Sequence, residues 1–354
     1  MAIFEREPRK LSRSLGRKLD MSRRRVAAVS VTGLVTSLMM GLFATLAVAQ
    51  GPVAQKPAAK ATSAKPSDIP RMADGKPDLS GVFSNAQTIP IQRAANLGDK
   101  EFYTAEEVAA NANRQRRVAE VGVHYDTSQF GLGGGQAKYA STLRTSVIIG
   151  PEGRVPALTP EAAKIQSQRR EVTQEHQWDS AENRPLAERC ITWGFEGPPM
   201  MPVGYNSDLE IVQGFGYVAI VQEMIHDTRI IPTDGRPFSG AKIPQWMGES
   251  RGHWDGDTLV VETANYNPRT AIQGTPVSDA LKVTERFSRL DANTVLYQFT
   301  VDDPKTWVKP WSGEYTMTKL DTPLYEYACH EGNHGIANNL SGARALERAA
   351  AAKK

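Results

Sequence analysis

A mainly β chain is what this sequence predicts: an antiparallel barrel or a two-sheet sandwich, with a few peripheral helices in the N-terminal third and a C-terminal helix. Three observations predict it. From Leu209 onward, short runs rich in Val, Ile, Tyr, Phe and Thr recur at close spacing. Gly, Asp or Asn turn signals bound most of these runs. Several runs alternate apolar and polar residues, the period of a strand with one buried face. Short strands at such spacing, with no internal repeat, favour a sandwich or barrel over a parallel α/β sheet.

An export signal precedes the β-rich part. Ser22-Arg23-Arg24-Arg25 supplies a positive start, Val26–Ala49 runs without a charge, and Ala47-Val48-Ala49 places small residues at the cleavage site. That order is the tripartite export pattern. Met1–Asp20 is basic and polar, which makes Met21 the alternative start. The apolar run also reaches the length needed to span a bilayer, so an inner-membrane anchor formed by an uncleaved signal is the rival. Residues 1–49 are read as extension plus signal, 50–75 as a disordered linker, 76–345 as one β-rich domain and 346–354 as a polar tail. Gly51–Asp68, inside the linker, is mostly Ala, Pro, Lys and Ser with little to bury. The expected location is periplasmic or secreted, with the membrane touched only through an uncleaved signal.

The folded part is expected to begin near Lys76–Phe83. Thr104 and Glu107 form the capping-box pattern of a helix start. Gly131–Gly135 is a glycine-rich loop without the βαβ context of a dinucleotide fingerprint. Thr145–Ile149, the turn Gly150-Pro151-Glu152-Gly153 and Arg154-Val155 suggest a hairpin. Thr159 caps a second helix with Pro160 at its first position. Strands are then expected over Leu209–Gln213, Tyr217–Met224, Arg229–Pro232, Gly252–Asp255, Thr258–Thr263, Val283–Leu290, Thr294–Val301, Tyr315–Leu320 and Tyr325–Cys329. Ala343–Lys354 is expected to be helical and polar.

The formal charge of +3 is carried by the extension and signal, and the remainder is slightly acidic. No basic stripe with interleaved aromatics remains, which argues against a nucleic-acid partner. Cys190 and Cys329 are the two cysteines. In an oxidising compartment an even pair reads as one disulfide, the alternative being two buried thiols.

Several segments are distinctive together. They are Glu223-Met224-Ile225-His226 with Arg229-Ile230-Ile231-Pro232 and Asp234-Gly235-Arg236, then Trp254-Asp255-Gly256-Asp257-Thr258-Leu259-Val260-Val261-Glu262-Thr263, and Tyr325-Glu326-Tyr327-Ala328-Cys329-His330-Glu331-Gly332-Asn333. From about Leu79 to Arg344 the chain resembles a large set of uncharacterised secreted bacterial proteins. The resemblance implies export and carries no established activity with it.

Three patterns bear on chemistry. His330-Glu331-Gly332-Asn333-His334 satisfies H-E-x-x-H, in which two histidines one helical turn apart bind zinc and the glutamate activates water. That reading needs a helix, and Gly332 and Asn333 are weak helix residues. Zinc is the cofactor it would imply; the other readings need none. Strand parity supplies the second pattern, because Glu223, Glu262, Glu285 and Glu326 fall among apolar neighbours. A carboxylate on an apolar face is costly unless paired or functional, and burial raises its pKa toward acid–base use. Glu223 or Glu285 is therefore the candidate acid or base, with His226 as partner. Arg229 and Arg236 are candidate anion clamps, and Asp234, Trp254 and Asp257 complete the expected ligand-binding set. The third pattern is aromatic: Trp246, Trp254, Trp307, Trp311, Tyr266 and Phe238 lie in or beside turns, where they line a ligand cleft or close a barrel end. The spacing Gly248-x-Ser250-x-Gly252 lies in a β context, unlike the strand-to-helix elbow of serine hydrolases. The leading expectation is a small organic or saccharide ligand held in a barrel or sandwich cavity, with or without carboxylate chemistry. The alternatives are a non-catalytic envelope or binding protein and a zinc hydrolase.

Overall fold

The structure is a computed structural model and describes residues 69–110, 142–150, 152–203, 205–240 and 243–353. The export signal, the Gly51–Asp68 linker segment and the Gly131–Gly135 loop lie outside the described residues.

Alternation builds the principal sheet. Nine strands join it: β1 (Gly81–Ser84), β2 (Asp208–Gly214), β3 (Tyr217–Gln222), β4 (Thr228–Pro232), β5 (Glu249–Asp255), β6 (Thr258–Ala264), β9 (Lys282–Arg289), β10 (Thr294–Asp302) and β11 (Trp311–Lys319). Two short strands, β7 (Ala271–Ile272) and β8 (Thr275–Pro276), form a separate hairpin. The large sheet runs β4-β3-β2-β1-β11-β10-β9-β6-β5, antiparallel throughout. Its two end strands lie side by side, so the sheet is a nearly closed barrel. At that seam Gly252 of β5 lies under the methyl groups of Ile231 and Thr233; a Cβ there would stand 2.9 and 3.0 Å from them.

Inward residues alternate along each strand. Val283, Glu285, Phe287 and Arg289 of β9 are buried, as are Val295, Tyr297, Phe299 and Val301 of β10. Tyr297 pairs in register with Phe287 on one side and Tyr315 on the other. Their rings stand 5.1 and 5.2 Å from it, centroid to centroid. Offset and tilted aromatic pairs of this kind add stability beyond area burial. The aromatic column continues through Phe299, Trp311 and Trp307, which pack edge to face at 5.8 and 5.6 Å. Trp307 and Trp311 thus fill the interior rather than face a ligand.

Two α-helices lie wholly within the described residues: α1 (Pro160–Glu175) and α2 (Gly335–Ala351). Thr159 caps α1 by accepting the Ala162 amide at 3.2 Å. The Thr104–Glu107 box also forms, with reciprocal bonds of 3.2 and 2.8 Å. Helix α2 begins eight residues before the expected Ala343 and buries no residue. Three strand expectations change. The described residues of 145–155 make one isolated bridge, Ile148 opposite Gly313, instead of a hairpin. Tyr217 starts a strand that ends at Gln222, because residues 224–226 turn as a 3-10 segment with Ile225 and His226 in the left-handed region. Tyr325–Cys329 is not a strand; a disulfide holds its end in place. That disulfide joins Cys190 to Cys329, 139 positions apart. Among the described residues no helix is long and apolar enough to cross a membrane.

Candidate functional site

One end of the barrel is stoppered by the segment that carries Gly197-Pro198-Pro199-Met200-Met201. Met200 and Met201 are fully buried, and the peptide bonds before Pro198 and Pro199 are cis. Three inward tyrosines hold this stopper by its backbone. Tyr266 donates to the Pro198 carbonyl at 3.2 Å and Tyr315 to the Met200 carbonyl at 3.2 Å. The Met200 amide donates to the Tyr297 hydroxyl at 2.9 Å. Tyr297 in turn donates to Glu285 at 2.7 Å.

Glu285 has no exposed surface and receives two bonds from Arg229, at 2.6 and 3.1 Å. Burial works against the Arg229 charge, but the neighbouring Glu285 more than offsets it and Arg229 is held above its ordinary value. Burial and the Glu285 charge push Tyr266, Tyr297 and Tyr315 well above the usual phenol range. Two residues expected to act on a ligand are thus paired with each other beneath the stopper. Their partners are fully specified, which is what a buried ion pair needs in order to persist.

A second cluster gathers carboxyl groups where β2 begins and β3 ends. Glu223 follows β3, and its amide donates to the Asp208 carbonyl at 2.9 Å. Burial and the Asp208 charge lift the Glu223 carboxyl to about 7. Burial raises Asp208 and Asp227 too. Glu196, in the stopper segment, is lifted furthest, to about 8, by burial and by Asp227. One of its oxygens accepts the Trp193 amide at 3.1 Å, and the other is buried with no hydrogen-bond partner. His226 stands exposed beside this cluster with a φ of 59°.

The remaining predicted residues lie elsewhere. Asp234 and Arg236 form an exposed ion pair after β4, and the Arg236 hydrogen bonds hold Asp234 down to about 2. Asp257 sits in the β5–β6 turn and takes two bonds from Arg71, at 3.0 and 2.6 Å. Trp254 lies near that turn with the Lys76 ammonium 5.8 Å from its ring centre. Glu262 is exposed on β6, and Glu326 is exposed in a stretch without regular structure. Ser250 faces inward on β5 and shares a 2.8 Å bond with Thr263, with no strand-to-helix elbow around it.

The H-E-x-x-H pattern does not form a helical turn. His330 is in a bend, Glu331-Gly332 is a turn with Gly332 at φ 66°, and His334 precedes the first residue of α2. The shared helix face that would converge the two imidazoles is therefore missing. Glycine at 332 takes the left-handed conformation that breaks a helix. No group of three or more metal-ligating side chains is gathered among the described residues.

A cleft of about 930 Å³ lies on the outer side of the stopper, between α1, the stopper and the β7–β8 hairpin. Its size suits a small organic molecule, for which pockets of roughly 300–1,000 Å³ are usual. Ile165, Arg169 and Val172 lie at i, i+4 and i+7 on α1 and line one wall. Trp193, Phe195, Trp246 and Tyr266 supply the aromatic surface, with the Trp193 and Phe195 rings 5.1 Å apart. Arg269 reaches over Trp246 at 5.7 Å. Of the aromatics singled out in the sequence, Trp246 and Tyr266 belong here. Glu223, His226, Arg229, Asp234, Arg236, Trp254, Asp257 and Glu285 do not line this cleft. The sequence signals that point toward it are the apolar pair on α1 and the Gly-Pro-Pro run.

The site thus belongs to a stoppered antiparallel barrel with its open cleft outside the barrel wall. No protein-family model matches the chain, no curated protein matches it, and no solved structure matches it.

Proposed function

We propose that this is an exported protein, periplasmic or secreted, which binds a small organic or saccharide ligand in the cleft outside the stopper. The observation that carries the reading is the cleft itself: about 930 Å³ of space with the part-exposed rings of Trp193, Phe195 and Trp246 on its walls. Aromatic faces stack on planar rings and on the C–H faces of sugars, and their burial by a ligand is favourable. The Cys190–Cys329 disulfide supports the oxidising address. The barrel interior offers less support for a ligand, because Glu285, Arg229 and the three tyrosines are committed to one another and to the stopper.

Nuclear magnetic resonance of the indole N–H groups tests the binding reading. Trp193→Phe and Trp246→Phe assign the two cleft signals, and a fragment library of ring compounds is then titrated. Ligands that move those two signals and leave Trp307 and Trp311 unmoved support it. A library that moves neither sinks it.

A second reading rests on one observation, the carboxyl groups Glu196 and Glu223 held near neutrality. Groups so tuned suit proton transfer at the pH of a periplasm or medium. Under that reading a ligand is turned over at the carboxyl cluster of Glu223, Asp208 and Asp227 rather than in the cleft, and Glu223→Gln abolishes turnover while cleft binding is unchanged. Equal product formation by the variant would exclude Glu223 as the acid or base.

A further inference from the structure

Four arginines and one glutamate are the charged groups among the described residues that line the cleft. Arg184 is spoken for: it pairs with Glu188 at 2.7 Å and stacks on Trp178 at 4.0 Å. Arg169 and Arg269 are different. Arg169 gives one bond, to the Pro268 carbonyl at 2.8 Å, and neither residue forms an ion pair among the described residues. They come from separate parts of the chain, one from α1 and one from the loop before β7, and the Arg169 bond to Pro268 sets its guanidinium against the residue that precedes Arg269, on the same cleft. Burial and then the Arg269 charge hold Arg169 below its ordinary value. Glu182 lines the same cleft and is itself lowered in part by Arg269, but it makes no ion pair with either guanidinium.

Two guanidinium groups on one cleft wall, neither in a salt bridge and with Glu182 as the one carboxylate among the described lining residues, gain when a ligand anion enters beside them. The flanking surface is aromatic, with Trp246 beneath Arg269.

We infer that the cleft selects ring compounds bearing a carboxylate, the carboxylate held between Arg169 and Arg269 and the ring laid against the tryptophan wall. The inference rests on the cleft-binding reading above and narrows it to one ligand class. Aromatic acids and sugar acids share this chemistry: each offers a flat or C–H face and one carboxylate. Arginine is suited to the task because its planar fork matches a carboxylate and stays charged at any working pH.

The experiment pairs each acid with its neutral counterpart. Naphthalene-2-carboxylate is compared with naphthalene-2-methanol, and glucuronate with glucose, by titration of the Trp193 and Trp246 indole signals. At least one acid is expected to bind about 10-fold to 100-fold more tightly than its neutral partner, the usual range for a charge-assisted pair. Arg169→Gln and Arg269→Gln, each in a half-buried or exposed side chain, are expected to remove that preference while the neutral partner's affinity stays the same. Raising the salt concentration should weaken the acid more than its partner. Which acid wins separates the aromatic from the sugar source. Equal affinity of acid and neutral compound, or a preference that survives both substitutions, overturns the clamp and leaves the binding function standing. Silence from all four compounds at millimolar concentration removes both.

Discussion

Replacing Glu196 with glutamine should stabilise the protein in alkaline solution and hardly at all in acid. The Glu196 side chain, in the stopper segment, is buried, with 5 % of the residue's surface exposed. One carboxyl oxygen has the Trp193 amide; the other has no partner. Burial, with Asp227 nearby, raises its pKa from 4.5 to about 8. Between those two values the folded chain holds a proton on Glu196 that the unfolded chain has released. Stability therefore falls as pH rises through that window, because the native state binds more protons. The cost is absent below the unfolded value and complete above the folded one. At 1.36 kcal/mol for each pH unit, the full window corresponds to about 5 kcal/mol. Glutamine has the shape of the protonated acid and cannot ionise. The difference between Glu196→Gln and the parent should be under about 1 kcal/mol near pH ~5 and grow to about 4–5 kcal/mol near pH ~8.5. Urea unfolding at both pH values, with the disulfide kept oxidised and ionic strength fixed, measures it. A variant with the same stability difference at both pH values would refute the reasoning, since the effect would then not be one of ionisation. So would a parent protein whose stability rises from the lower pH to the higher.

Other expectations follow from the same packing. Arg229→Met should destabilise by about 3–5 kcal/mol by leaving Glu285 charged, buried and unpaired, while Arg229→Met with Glu285→Leu should recover much of that loss; denaturant titration of the three variants decides it, and an additive double variant would show that the pair is not coupled. Reduction of Cys190–Cys329, which closes a loop 139 positions long, should cost up to about 5 kcal/mol by the chain-entropy estimate. Its first effect should be local, because α2 buries no residue and is held mainly through Arg344 and Asn333 contacts with 178–190; hydrogen exchange should speed up in α2 before β9–β11, and simultaneous loss would contradict this. Gly313→Ala would place a Cβ 2.4 Å from the Phe299 ring, and unfolding curves should show a loss of about 1–3 kcal/mol, the usual cost of overpacking a full interior.

The strands were legible because their physics is local. Val283–Leu290 and Thr294–Val301 alternate so regularly that the observed β9 and β10 differ from the expectation by one residue at most ends. Where local pattern competed with tertiary contacts it failed. Tyr325–Cys329 alternates like a strand, but no neighbouring strand offers it a ladder, and the disulfide and the Asn333 contacts fix its path instead. Thr145–Val155 has hairpin chemistry, yet the Ile149 amide donates to the Ser312 carbonyl and the Val147 carbonyl accepts the Glu314 amide, which holds the segment against β11.

The site residues divide along the same line. Parity placed Glu285 on the buried face between Val283 and Phe287, and that placement is observed. The same rule puts Arg229 inward beside Ile231 on β4. A closed barrel brings inward charges of opposite sign to one another, because leaving either unpaired in a dry interior costs several kcal/mol. Strand parity is thus better evidence for an internal ion pair than for a catalytic carboxylate. A ligand must reach side chains whose polar groups are not already used inside the fold. In this chain those groups come from α1, the loop before β7 and the β7–β8 turn, which are about a hundred residues apart in sequence and pack directly on one another beside the Gly-Pro-Pro stopper. No spacing rule joins Arg169 to Arg269. Their convergence depends on the packing of α1 against β8 and on the Arg169 bond to the Pro268 carbonyl, long-range contacts that no local pattern encodes.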